Sequence, residues 1–189
     1  MCRIIWNEIF LHIRCAALRE KYKVITKQDI FEKVNKKKCL VLGDIILDKY
    51  IFGDVNHISP EAPIPVVHFT GERYAPGGAA NVASTVAACG IKTVLCGSIG
   101  KDRDAEHILD FLGRRDICFA GIRSEKHGTI TKVRVTGQIQ QMLRLDYENT
   151  QPFDETEEQG LLAQSLCELI DSNAVIISDY GKGVWFVQR

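Results

Sequence analysis

The sequence predicts an α/β fold built on a mostly parallel, doubly wound sheet, and three observations carry that prediction. Short apolar runs such as Cys39–Leu42 and Ala174–Ser178 alternate with segments of helical periodicity. Glycines and polar residues follow the carboxyl ends of those runs at Gly43-Asp44, Gly77–Asn81 and Asp179–Lys182, where open α/β sheets take their ligands. Between them, residues 130–148 change to period-two alternation, which predicts a hairpin of a different kind from the buried strands.

Taken in order, a helix is expected at about 27–36, and Cys39-Leu40-Val41-Leu42 reads as the first buried strand, ended by Gly43-Asp44. Residues 49–76 read as irregular, rich in Pro and Gly, with short β-like pieces such as Pro65–Phe69. The stretch Gly77–Gly100, GGAANVASTVAACGIKTVLCGSIG, opens with a glycine pair at a helix start and Asn81 on its first turn. Ala79, Ala80, Ala83, Ser84, Ala87 and Ala88 let that helix, expected over 78–89 and ended by Gly90, pack close to a sheet. A strand is expected over 92–98. Arg103–Leu112 then places Ile108, Phe111 and Leu112 on one helical side, with Gly113 closing it. Thr131–Val135 and Leu143–Glu148 form the alternating pair, with Thr136-Gly137-Gln138 as the bend and one apolar and one charged face. Asp154, with Glu157 three residues on, makes a capping-box start for a helix whose buried side is expected at Leu162, Leu166, Leu169 and Ile170.

Composition bounds the function. Of 189 residues, 46 % are hydrophobic and 25 % charged, ordinary for a soluble globular protein. Lys+Arg and Asp+Glu are both 24, so no global field draws the chain to nucleic acid or to an anionic membrane. Cys2, Cys15, Cys39, Cys89, Cys96, Cys118 and Cys167 are odd in number and contain no C-x-x-C, which predicts reduced, mostly buried thiols and a cytoplasmic location. Cys89 and Cys96 read as packing residues. No apolar run reaches the length of a membrane span, and Glu8, His12 and Arg14 interrupt the N-terminal stretch as they would not in a signal peptide. Residues 1–23 read as an extension, either an amphipathic helix or an over-long translation start, and Lys36-Lys37-Lys38 as a solvated linker.

The candidate chemistry gathers at the strand ends. A glycine pair at a helix start lets a ligand approach backbone N–H groups carrying partial positive charge, although the same pattern serves plain helix-on-sheet packing. Gly77, Gly78 and Asn81 are therefore ligand candidates, Asn81 through an amide that both donates and accepts toward sugar hydroxyls. Asp44 and Asp48 suit polyols, because carboxylate oxygens accept from adjacent hydroxyls; each also reads as a turn former. Lys132, Arg134 and Arg144 share the polar face of the hairpin and offer cationic anchors for a phosphate, though a solvated strand looks the same. Arg73 is a weaker candidate of that kind. Asp179 and Lys182 lie just past a strand end, with Lys182 between two glycines that admit a phosphate. His57 and His68 lack metal-ligand partners at useful spacing and read as structural, and no metal site is expected.

The pattern Gly77-Gly78-Ala79-x-Asn81-x-Ala83, six residues, Gly90, nine residues, Gly100 resembles the first signature of the ribokinase-like (PfkB) carbohydrate kinases. GDIILDKYIFGDVNHISPEAPIPVV (43–67), TKVRVTGQIQQMLRLDYE (131–148) and SDYGKGV (178–184) narrow the resemblance to the heptose 7-phosphate kinases of bacterial lipopolysaccharide precursor synthesis, the kinase part of bifunctional kinase/adenylyltransferases. The resemblance runs from about Lys38 to Val184. It implies a ribokinase-like fold in which the 131–148 strands join pieces of 49–76 as a β lid over the sugar, with lids pairing in a homodimer. It implies ATP with Mg²⁺ as cofactors and the anomeric hydroxyl of D-glycero-D-manno-heptose 7-phosphate as acceptor, with Asp44 among the sugar-binding residues. It implies three segments: an extension and leading helix over 1–37, the N-terminal part of a kinase domain over 38–184, and a divergent tail over 185–189.

Two departures bear on the lid: His57 stands where the resemblance implies arginine, and Gln138-Ile139 where it implies a basic residue and Asn. The family places its catalytic base in a Gly-Ala-Gly-Asp segment, which does not occur in this sequence, so no catalytic residue is named. The expectation is a truncated kinase, cut short by a frameshift or a stop, inactive alone and with sheet edge and apolar surface exposed. Two further expectations stand beside it: another sugar kinase of the same fold, and a non-catalytic sugar-phosphate-binding or dimerisation module. An unstable gene remnant is the third, and it predicts no cooperative unfolding.

Overall fold

A computed structural model describes residues 32–138, 140–149 and 151–184. Every strand and helix from Lys38 onward belongs to one compact unit. The expected extension and most of the leading helix lie outside the described residues, as do Cys2, Cys15, Ile139 and the tail at 185–189.

The chain runs β1 (Lys38–Gly43), β2 (Ile45–Ile58), β3 (Pro65–Gly77), α1 (Gly78–Ala88), β4 (Lys92–Cys96), β5 (Ser98–Gly100) and α2 (Arg103–Gly113). It continues through β6 (Cys118–Phe119), β7 (Ile122–Ser124), β8 (Ile130–Gly137), β9 (Gln140–Tyr147), α3 (Glu155–Leu169) and β10 (Ala174–Ser178). One sheet, in the order β10-β1-β4-β6, is wholly parallel. Its central strands β1 and β4 are apolar on both sides because both are covered. Cys39, Val41 and Leu95 face a core shared with Ala79, Ala80 and Ala83 of α1 and Ala105, Ile108 and Leu112 of α2. Leu40, Leu42, Val94 and Cys96 face Leu161 of α3. The sheet is doubly wound, as the alternation predicted.

The second sheet, β3-β2-β8-β9, is mixed: β2 pairs antiparallel with β3 and parallel with β8, and β8 antiparallel with β9. The stretch 49–76, which reads as irregular, is therefore mostly two long strands. Their bulges fall between Phe52 and Gly53 and between Val55 and His57, which break the period-two pattern a sequence reader looks for. The 131–148 hairpin is present, with Gln138 in the left-handed conformation at its bend (φ 53°). Only Asp44 separates β1 from β2, so one residue joins the parallel sheet to this lid-like sheet.

Three expectations need correction. The 92–98 strand is broken at Gly97, and Ser98–Gly100 pairs instead with β7. The helix α3 begins on the predicted capping box of Asp154 and Glu157 but buries Leu161 and Ser165. Leu162, Leu166, Leu169 and Ile170 stand 58, 51, 45 and 88 % exposed, alongside exposed Val175 and Ile177 of the edge strand β10. The rotation follows from contacts on its inner side, where Leu161 packs on Leu40, Leu42, Val94 and Cys96 and Ser165 Oγ lies 3.3 Å from Cys96 Sγ. Among the cysteines, Cys39 and Cys96 are buried, whereas Cys89, Cys118 and Cys167 are exposed, so Cys89 is not a packing residue. All five are free.

Candidate functional site

The carboxyl edge of the parallel sheet is organised by Asp44, which is fully buried. Its Oδ2 accepts from the N–H groups of Tyr180 (2.7 Å) and Lys182 (3.1 Å), and its Oδ1 from Val184 N–H (3.4 Å). Its own N–H donates to the Ser178 carbonyl at 3.1 Å, and its carbonyl accepts from Ala79 N–H at 2.8 Å. One residue thus fastens β1, the loop after β10 and the start of α1 to one another. Both side-chain oxygens are engaged by main chain, an occupation the sequence does not reveal. Asp179 is shaped likewise: its Oδ1 accepts from Gly181 N–H at 2.8 Å, a two-residue turn that sets the loop.

The start of α1 differs from the other helix starts. Asp102 caps α2 and Asp154 caps α3, but no side chain caps α1, whose flanking residue is Gly77. Gly78 takes φ +54°, a conformation costly for any residue with a Cβ. Gly77 is needed for space: a Cβ there would lie 2.6 Å from Asp48 Oδ2 and 3.3 Å from Ile46 Cβ. Asn81, one turn in, is exposed, and no described residue hydrogen-bonds its side chain. The glycine pair therefore brings uncapped helix amides close to the Asp48 carboxylate.

Asp48 begins the polar face of the lid-like sheet. Register places Asp48 beside Lys132, Lys132 beside Asp146, and Arg134 beside both Tyr50 and Arg144, so all share one face. Arg134 makes an ion pair with Asp48, and that hydrogen bond holds its pKa above the ordinary arginine value. Arg144 Nε lies 2.9 Å from Asp146 Oδ1. Lys132 has no side-chain partner among the described residues. Lys182, at the far side of the loop, pairs with Glu148 at 2.7 Å and so ties the parallel sheet's edge to the end of β9. On the opposite face, Tyr74 stacks on His107 of α2 at 3.9 Å, and the Thr131 hydroxyl donates to Asp104 at 2.6 Å, which anchors the lid-like sheet to the core.

The sequence candidates fall into two linked groups. Asp48, Gly77, Lys132, Arg134 and Arg144 come together on the lid face. Asp44, Gly78, Asp179 and Lys182 build the edge beside it, and Asn81 stands exposed on the first turn of α1. Sequence reasoning missed Tyr50, Asp146 and Glu148. Tyr50 was accessible in principle, since it stands two residues after Asp48, but that spacing means a shared face only once 45–58 is known to be a strand. His57 and His68 lie against each other, with ring centroids 5.2 Å apart. A separate concavity at the start of α3, lined by Lys101, Arg123, Lys126, Asp154 and Glu157, has its three cations already paired with Glu125, Glu106 and Asp154. No described helix is long and apolar enough to cross a membrane.

Comparison with known proteins agrees with this architecture. The chain is 45 % identical over 151 residues to the bifunctional protein HldE of Coxiella burnetii (strain RSA 331 / Henzerling II), covering 80 % of this chain and 31 % of that protein. It is 41 % identical over 160 residues to the HldE protein of Koribacter versatilis (strain Ellin345), covering 82 % and 33 %. The chain thus spans about a third of the length of the curated relatives it matches. Among solved structures, phosphofructokinase-2 of Escherichia coli in complex with substrates and products superposes with a TM-score of 0.58 at 23 % identity, over 75 % of this chain and 44 % of that one. A carbohydrate kinase from Agrobacterium tumefaciens gives 0.56 at 15 % identity, over 75 % and 45 %. At these identities the two structures establish the ribokinase-like fold. The pfkB family carbohydrate kinase profile matches residues 36–188, and the chain belongs to that family.

Proposed function

We propose that this chain forms the acceptor-binding side of an ATP-dependent kinase acting on the anomeric hydroxyl of D-glycero-D-manno-heptose 7-phosphate, in lipopolysaccharide core precursor synthesis. The observation that carries the reading is the lid face itself: a carboxylate for sugar hydroxyls, Asp48, set against glycine-lined helix amides and surrounded by the cations Lys132, Arg134 and Arg144. The heptose assignment is supported by the sequence resemblance at 43–67, 131–148 and 178–184 and by identity to the HldE proteins.

Each residue has a definable task. Asp48 accepts hydrogen bonds from sugar hydroxyls and fixes their orientation, while Asn81 donates and accepts at the same ring. Lys132, Arg134 and Arg144 neutralise the substrate's phosphate. Asp44 and Asp179 act through the loop they shape, holding Lys182 and the α1 amides where negative charge gathers during transfer. Family membership implies ATP and a divalent cation. The uncapped α1 start and Lys182 fit a phosphoryl group at this edge. When bound, ATP supplies that group and the cation offsets its charge. In this reading the protein is cytoplasmic, and a homodimer forms through the lid, where Leu143, Leu145 and Tyr147 of β9 are exposed.

Calorimetry with heptose 7-phosphate, ribose 5-phosphate and fructose 6-phosphate tests the proposal. Saturable binding that favours heptose 7-phosphate roughly ten-fold or more, about 1.4 kcal/mol, is expected, with loss on Asp48→Ala and on Asn81→Ala. Unchanged affinity in both variants would remove the site assignment. A preference for another sugar would favour a different kinase of the same fold. Assay of ATP consumption with the preferred sugar then separates a kinase from a binding module, which would bind without turnover.

A further inference from the structure

The β2–β3 ribbon outruns the sheet it belongs to. Pairing of β2 with β8 ends at Gly53–Gly137, whereas pairing with β3 continues to Ile58–Pro65. Residues 54–58 and 65–69 therefore form a two-stranded ribbon of their own, mostly exposed. Such a ribbon is marginal in water without further support. It begins about 20 Å along the strand from Asp48, well away from the sugar site.

Two histidines meet on this ribbon. A regular strand would send Asp54 and His57 to opposite faces. The bulge between Val55 and His57 adds one residue, so register sets Asp54 against His68, and His57 against Val66. Val66 and His68 share a face, which brings Asp54, His57 and His68 to the same side. The ring centroids of His57 and His68 lie 5.2 Å apart with the planes tilted at 49°. No hydrogen bond or ion pair among the described residues engages either imidazole or the Asp54 carboxylate. Paired imidazoles suit a borderline divalent ion. On a tetrahedral zinc with Zn–N of about 2.0–2.1 Å, two imidazole ring centres sit about 5 Å apart, which is the separation found here.

We propose that His57 and His68 form a cross-strand chelate for a divalent transition-metal ion such as zinc, which clips the free end of the β2–β3 ribbon. Among the described residues no three ligating side chains gather closely enough to cage an ion. The clip is therefore a two-imidazole site with water completing the coordination, and Asp54 adds negative charge beside it. Histidine at 57 departs from the arginine that the family pattern implies, and a guanidinium there would repel the ion. Along the sequence the pair is hidden, because the two residues lie on different strands and only the bulge aligns them.

The test titrates the 189-residue chain with zinc chloride and follows the imidazole resonances, with the thiols alkylated because Cys89, Cys118 and Cys167 are exposed. His57 and His68 should shift together along one saturation curve, at one ion per chain. His57→Ala and His68→Ala should each weaken binding about 100-fold, because the second imidazole acts at the effective concentration of a held neighbour. His57→Arg should weaken it at least as much. Both histidines are exposed, so an unchanged unfolding midpoint in the metal-free variants separates lost ligation from lost folding. Zinc should also slow amide exchange at 54–58 and 65–69 in the wild type and leave it unchanged in His57→Ala. An affinity that either alanine variant changes by less than about three-fold means an adventitious ion only and overturns the chelate. One ion per two chains, or ribbon amides that zinc does not slow, overturns it as well.

Discussion

The carboxyl edge of the parallel sheet and the polar face of the lid-like sheet carry similar residues and use them differently. At the edge, carboxylates are consumed by main chain: Asp44 takes three loop N–H groups and Asp179 takes one. On the lid face, charges are met only by other side chains, as in Arg134–Asp48 and Arg144–Asp146, with Lys132 and Arg73 left over. Proximity to a strand end therefore does not make an aspartate a ligand. What its oxygens already accept decides whether it shapes the site or touches what enters it.

The largest effect expected from this contrast is at Asp44. Replacing it with Ala would remove the fully buried carboxylate that the N–H groups of Tyr180, Lys182 and Val184 share, and a loss of about 3 kcal/mol or more is expected from urea unfolding. A loss below about 0.5 kcal/mol, the range of an ordinary surface change, would undo the contrast. Gly77→Ala comes next. Its methyl would press on Asp48 Oδ2 and Ile46 Cβ, at a cost of about 1–3 kcal/mol, and it should abolish sugar binding because Asp48 is the group displaced.

Asp102 extends main-chain capture of a carboxylate to pH dependence. Burial pushes its pKa up, but hydrogen bonds from the N–H groups of Thr129 and Ala105 and from the Thr129 hydroxyl outweigh this and hold it below the ordinary carboxylate value. A depressed folded-state pKa gives stability that is present above the unfolded value of about 3.9 and is lost as pH falls through the folded one. Asp102→Asn keeps the cap but sets an amide NH2 against the Thr129 N–H, so it should cost about 1 kcal/mol at neutral pH and flatten the acid limb of the stability profile. An acid limb identical to the wild type would show that main-chain capture of Asp102 contributes nothing. The smallest effect is expected for Lys101→Ala, whose pair with Glu125 is 51 and 76 % exposed; a change under about 0.5 kcal/mol is expected in the same unfolding experiment.

What was legible in the sequence was local. The capping box at Asp154 and Glu157, the glycine-led start of α1 and the alternating hairpin need only neighbours along the chain, and all three stand in the structure. The long strands β2 and β3 were obscured because bulges and Gly53, Gly71 and Pro76 interrupt their pattern, and pairing with each other and with β8 overrides it. The face of α3 was misjudged for a related reason. Counting apolar residues selects Leu162, Leu166 and Leu169, whereas the fold turns Leu161 and Ser165 inward onto Leu40, Leu42 and Cys96. Asp44 and Asp48 show the same limit at the site, since four residues of spacing say nothing about which carboxylate is buried.

A crystal structure of the chain with D-glycero-D-manno-heptose 7-phosphate bound would decide between the two regions as the place where substrate is held. The expected result is density along β2, with ring hydroxyls on Asp48, phosphate among Lys132, Arg134 and Arg144, and no ligand atom on Asp44. A sugar bound with its hydroxyls on Asp44, or lying away from the lid face, would contradict it.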